Sequence, residues 1–166
     1  MNEKSLRVLE FNKIIDKLKT KASSSLGLKH IENLKPSNDF DEVKNTLLET
    51  SEAQAILIKR GLVSMDGIHD IEDKAKRAHV GATLDPGALL KIADCLRVAR
   101  SLKRNLEGSE EEDFNYPIIQ ALTNALYTFR DIEDRIYTSI VGESEISDNA
   151  STTLKTIRRR IVQKNQ

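Results

Sequence analysis

The chain has 166 residues, 39% hydrophobic, 31% charged and only 4% aromatic, with no tryptophan. That length suits one domain, or one domain with an arm, and buries about 70% of the chain's surface on folding, enough for a core of Leu, Ile, Val and Ala. Twenty-six basic residues balance 26 acidic ones, which removes any whole-chain electrostatic case for nucleic acid or membrane binding and leaves only local patches.

Every strong periodicity is helical. Val8, Phe11, Ile15, Leu18 and Ala22 recur at steps of three and four, which predicts one helix up to a Ser-rich break at 23–27. A short helix follows to Leu34, and Lys35-Pro36-Ser-Asn-Asp39 reads as a turn ending in a cap. A long helix then runs from about Phe40 to Lys59, with Val43, Leu47, Leu48, Ala55 and Ile58 expected to face inward and Gly61 as its stop. Asp66-Gly67 opens the next segment, where Ile68, Ile71 and Ala75 are spaced for a helix ending near His79. After a loop, Asp85 is placed to cap a helix whose first position is Pro86, where the missing N–H costs nothing. Leu89, Ile92, Leu96, Ala99, Leu102 and Leu106 form its stripe, the cleanest in the chain. Residues 108–113 are an acidic connection expected to be mobile. Ile119, Leu122, Leu126 and Phe129 predict another helix, continued or restarted by Ile132, Ile136 and Ile140 and broken at Gly142.

The last stretch carries Ser147, Asp148 and Asn149 as cap candidates, then Leu154, Ile157 and Ile161 on one face. A helix of about 16 residues is marginal alone and needs a partner face. No Gly or Pro follows it, so the chain reads as the N-terminal piece of a larger protein. No segment alternates with period two, so no sheet is expected. Seven helices joined by short turns predict an all-α fold, an irregular multi-helix bundle with a projecting C-terminal helix.

Few side chains suggest chemistry. Cys95, the single cysteine, lies in an apolar run and reads as a buried, inert thiol. The N-terminus has no apolar signal core and no run approaches the roughly 20 residues of a membrane span, so the cytoplasm is the default location. His30, His69 and His79 lack metal-ligand spacing. The tetrad Asp-Ile-Glu-Asp occurs at 70–73 and again at 131–134, and two such tetrads could converge on a hard cation. The commoner reading turns Ile71 and Ile132 to the core and leaves the carboxylates solvated near helix starts, where the dipole favours them. Ser23–Ser25 and Ser151–Thr153 have no histidine nearby and read as turns and caps. Neither a Gly-x-Gly-x-x-Gly nor a Gly-x4-Gly-Lys-Ser/Thr loop is present. No catalytic, cofactor or metal residue is therefore assigned.

One basic cluster stands out: Lys155, Arg158, Arg159, Arg160 and Lys164. Such a stripe can neutralise backbone phosphates, giving salt-dependent, sequence-blind binding. The alternative is a solvated face, or ion pairs to a neighbouring helix. A second run, Arg97, Arg100, Lys103 and Arg104, reads as the outer face of its helix.

Several segments together resemble the N-terminal region of the second bacterial MutS subfamily. They are Leu9-Glu-Phe-Asn-Lys-Ile-Ile15, Leu34-Lys-Pro36, Glu49-Thr-Ser-Glu-Ala53, Gly67-Ile-His-Asp-Ile-Glu-Asp73, Lys76-Arg-Ala-His-Val-Gly81 and, most specific, Ile146-Ser-Asp-Asn-Ala-Ser-Thr-Thr-Leu-Lys-Thr-Ile-Arg158. The resemblance runs from about Ser5 to the end. The chain departs from it in Val141-Gly-Glu-Ser-Glu145, where the glycine comes earlier than the family's usual one. The resemblance implies a cytoplasmic homodimer acting on DNA in recombination control or on stalled ribosomes. It also implies ATP and magnesium bound in a domain beyond this chain, and a nuclease-like domain at the far end. Residues 1–145 would be the helical core, and 146–166 the start of a lever helix leading to a clamp. No family phosphate-loop, metal or nuclease residue has a matching position here. The rival expectation is a free-standing helical module that docks a partner helix.

Overall fold

The computed structural model describes residues 3–61, 63–106 and 115–165, and the acidic connection at 108–113 lies outside them. Among the described residues the fold is all-α apart from one small hairpin. The chain divides into two compact units, Met1–Asp66 with Ser101–Tyr127 and Gly67–Arg100 with Thr128–Gln166.

The first unit opens with α1 (Glu3–Val8) and α2 (Phe11–Lys19). The single helix expected here is broken at Glu10, whose φ of 55° is left-handed. For a residue with a Cβ that conformation costs about 1–2 kcal/mol. The Glu10 carboxylate meets Lys13 Nζ at 2.6 Å, and its backbone carbonyl accepts from Lys13 N. Next comes α3 (Ser25–Glu32), with Ser24 Oγ accepting from Gly27 N at 3.0 Å. The long α4 (Phe40–Arg60) begins as expected, because Asp39 Oδ1 accepts from Asp41 N and Glu42 N. It ends at Gly61, where φ is +79°.

The inward face of α4 differs from the expected one. Val43, Leu47, Leu48 and Ile58 are exposed, and Ile56 is buried. Glu52, Ile56 and Arg60, each four residues apart, form the packed row. Ile56 packs with Leu106 and Tyr116, and Val63, Leu102 and Ile119 close around them. Helix α7 (Pro117–Asn124) is held at both ends by charge. Glu52 Oε2 accepts from Ile118 N and Ile119 N, both at 2.9 Å. At the other end Lys103 Nζ donates to the carbonyls of Leu126 at 2.9 Å and Asn124 at 3.4 Å. An anion at the N-terminus and a cation at the C-terminus complement the helix dipole.

The second unit contains α5 (Glu72–His79), the first fifteen residues of α6 (Pro86–Leu106), and α8 (Arg130–Ser139). The loop at 67–71 precedes α5, so Ile68 and Ile71 lie outside the helix expected to hold them. Helix α6 starts as read from the sequence: Asp85 Oδ1 accepts from Ala88 N at 2.8 Å, and Pro86 takes the first position. Its most buried residues within this unit are Ala88, Ala93 and Val98. Leu96, expected at the centre of the stripe, is half-buried. Ala93, Ile136 and Ile140 form the core, flanked by Leu89, Leu90 and Ile92.

Two further expectations are corrected. Residues 125–129 are non-helical, so Leu126 and Phe129 lie outside the helix expected to hold them, and of continuation and restart it is restart that occurs, with α7 and α8 separate. A sheet is present after all: β1 (Ile140–Gly142) pairs antiparallel with β2 (Glu145–Ile146), Ile140 opposite Ile146. Strands of three and two residues are too short for a period of two to show in the sequence. A 3-10 turn (Asp148–Ala150) and α9 (Thr152–Lys164) complete the unit. No helix among the described residues is long and apolar enough to cross a membrane.

Candidate nucleic-acid interface

The basic cluster lies on α9. Its N-cap is Ser151, whose Oγ accepts from Leu154 N at 3.0 Å. The earlier candidates serve the turn before it: Ser147 Oγ accepts from Asn149 N at 3.1 Å, so the helix starts later than expected. No residue of α9 is fully buried. Ile157, Ile161 and Val162 stay exposed, and Leu154 is half-buried.

The five cations divide into two sets. Arg158 turns back toward the hairpin: Nη1 donates to the Ile146 carbonyl at 3.0 Å and to Asp148 Oδ1. Lys155 reaches toward Asn149 Oδ1 at 3.4 Å. Arg159, Arg160 and Lys164 are exposed, and among the described residues they make no ion pair. Arg160 and Lys164, four apart, share one strip of the helix, while Lys155 and Arg159 share another. Ile157 and Ile161 lie beyond Arg160 and Lys164, so an apolar seam and a cationic strip run side by side.

The other basic run is not simply an outer face. Arg97 lies 3.6 Å from Asp94. Arg100 pairs with Glu133, which is 2% exposed. Hydrogen bonds to Glu133, and then its charge, raise the guanidinium pKa above its ordinary value. This arrangement also corrects the reading of the second acidic tetrad. Glu133 is buried and Ile132 is 47% exposed, the reverse of the expected orientation. Asp134 faces Arg130, and in the first tetrad Glu72 faces Lys76. Among the described residues no three His, Cys, Asp or Glu side chains are grouped to hold a metal ion.

Two remaining features carry polar contacts but no catalytic set. Cys95 is half-buried, and its sulfur accepts from His69 N at 3.0 Å and lies 3.3 Å from the His69 carbonyl. Tyr137 donates to Asp94 Oδ1 at 2.7 Å; partial burial and then that bond raise its pKa. An apolar hollow of about 390 Å³ lies between the start of α6 and the side of α8, lined by Leu84, Leu89, Ile132 and Ile136, with Arg135 the one charged residue.

No protein-family model matches the chain. Across all 166 residues it is 70% identical to Endonuclease MutS2 of Clostridioides difficile, and it spans 21% of that protein. It is 47% identical over 165 residues to Endonuclease MutS2 of Alkaliphilus oremlandii, again spanning 21%. Along its whole length the chain is similar to part of the MutS2 proteins. A third relative, Endonuclease MutS2 of Acetivibrio thermocellus, is 50% identical over 161 residues, 20% of its length. The chain thus spans about a fifth of the MutS2 relatives it matches, and the match leaves almost no residue of the chain out.

Proposed function

We propose that this chain is the N-terminal helical core of a MutS2-type protein, with α9 as the start of a lever that carries motion to a nucleic-acid clamp. The observation that carries the reading is the 70% identity across the full 166 residues to an endonuclease MutS2 about five times as long. In this reading the chain does no chemistry itself. ATP and magnesium bind elsewhere in the longer protein, which hydrolyses ATP and cuts nucleic acid. It works as a cytoplasmic homodimer on recombination intermediates, on stalled ribosomes, or on both.

Physical chemistry supports a mechanical role for the helices. Close-packed helical interfaces resist continuous deformation, so displacement passes through them as rigid-body or shear motion. The exposed cations Arg159, Arg160 and Lys164 supply phosphate contacts along the lever. In the full-length protein, replacing all three with Gln is expected to reduce the slope of log affinity against log salt for branched DNA by about three. An unchanged slope would remove α9 from the interface.

A further inference from the structure

Several contacts meet at the corner of the second unit that launches α9. Ser147 N donates to the Ser139 carbonyl at the end of α8, at 2.8 Å. Ile146 pairs with Ile140 across the hairpin. Arg158, two turns into α9, returns to this corner and bonds both the Ile146 carbonyl and Asp148. The end of α8, the hairpin and α9 are thereby joined around three consecutive residues, 146–148.

We propose that Arg158 is a positioning residue that fixes the direction of α9 relative to α8, and that phosphate contact falls to Arg159, Arg160 and Lys164. The inference rests on the lever reading. Both N–H donors of Arg158 Nη1 are committed to these two acceptors, and a phosphate drawing on the remaining donors would have to pull the guanidinium away from both. The two acceptors differ in kind. Asp148 supplies charge, whereas the Ile146 carbonyl belongs to backbone held by the hairpin. A planar guanidinium can serve both from one fixed position, which a lysine ammonium does less well. The Asp148 and Arg158 side chains are 58% and 42% exposed, so the pair is weak as a source of global stability. Its effect is directional, because the helix axis pivots about Ser151 and Arg158 ties it down two turns later.

The test uses the full-length protein with spin-labelled unnatural residues at 138 and 163, read by pulsed electron resonance, alongside DNA-stimulated ATP hydrolysis and the salt slope of DNA binding. Arg158→Gln and Asp148→Asn are each expected to broaden the α8–α9 distance distribution and leave the salt slope unchanged. The charge-exchanged pair Asp148→Arg with Arg158→Asp is expected to restore part of the narrow distribution. A distribution that stays narrow in Arg158→Gln overturns the positioning role. So does a fall of about one in the salt slope, the signature of a lost phosphate contact. A broadened distance with undiminished stimulation upholds the corner and overturns the lever reading.

Discussion

Arg100 holds the Glu133 carboxylate with two nitrogens, Nε donating to Oε1 at 3.1 Å and Nη2 to Oε2 at 3.0 Å. Glu133 is sealed from solvent, while Arg100 keeps a third of its side chain exposed. Such bidentate pairs are geometrically specific, and breaking one by removing a single partner leaves an uncompensated buried charge. Arg100→Met is therefore expected to lower Tm more than Arg100→Met combined with Glu133→Leu. Calorimetry of the single and double variants checks the order; a double variant less stable than the single would show that the carboxylate does not need this partner. The raised pKa of Arg100 means that the guanidinium's side of this pairing is lost only as pH climbs from its unfolded value through the raised folded one, so it does not titrate away at ordinary alkaline pH.

The charge at the start of α7 gives a second expectation. Glu52→Ala removes an acceptor from two helical N–H groups and is expected to cost about 0.5–2 kcal/mol. Glu52→Gln keeps an oxygen there and is expected to cost less. Urea unfolding of the two variants reads the difference, and equal losses would assign the effect to charge alone.

Helix α4 shows how a face can be misread from sequence. Its apolar residues form more than one arc, and periodicity alone cannot say which arc meets a neighbour. The residues that decide it are Glu52 and Arg60, one capping α7 and the other over the Tyr116 ring at 5.4 Å. Ile56→Ala is expected to destabilise by about 2–5 kcal/mol and Ile58→Ala by about 0.5 kcal/mol or less. Similar costs at the two positions would contradict the packing.

What was legible followed local rules. Asp39, Asp85 with Pro86, and Gly61 each act through backbone groups within a few residues, so residue type and spacing sufficed. Glu133 was not legible, because a glutamate beside other acids reads as surface and its partner lies 33 positions away. The basic cluster was found as a cluster, but its division depends on the Ile146 carbonyl, which no side-chain pattern reports. The family resemblance lay in segments spread along the chain, and the match over its whole length agrees with it.

Gly67 is a position where a side chain does not fit. Its φ is +101°, and an added Cβ would lie 2.9 Å from Arg97 Nη2 and 3.2 Å from Asp94 Cβ. Gly67→Ala is expected to cost about 1–3 kcal/mol through backbone strain, with the crowding added. Gly61→Ala, also at positive φ but with open space around it, is expected to cost less. Urea midpoints for the two variants make the comparison, and a reversed order would contradict it.

Tyr137 predicts an alkaline signature. Burial and the Asp94 bond hold its pKa above the ordinary value of 10.0. A group whose pKa rises on folding stabilises the fold below its unfolded value, and that contribution disappears as pH climbs through the folded value. Stability is thus expected to fall above about pH 10 in the parent, and less steeply in Tyr137→Phe. Equal slopes in the two proteins would place the phenol outside this contact.

The lever role proposed for α9 requires that motion pass along it as a rigid body. Its most direct measurement is nucleic-acid-stimulated ATP hydrolysis by the full-length protein carrying Thr156→Pro, which interrupts α9 within its second turn. Basal hydrolysis is expected to survive and stimulation to be lost. Stimulation equal to that of the parent would contradict the lever role.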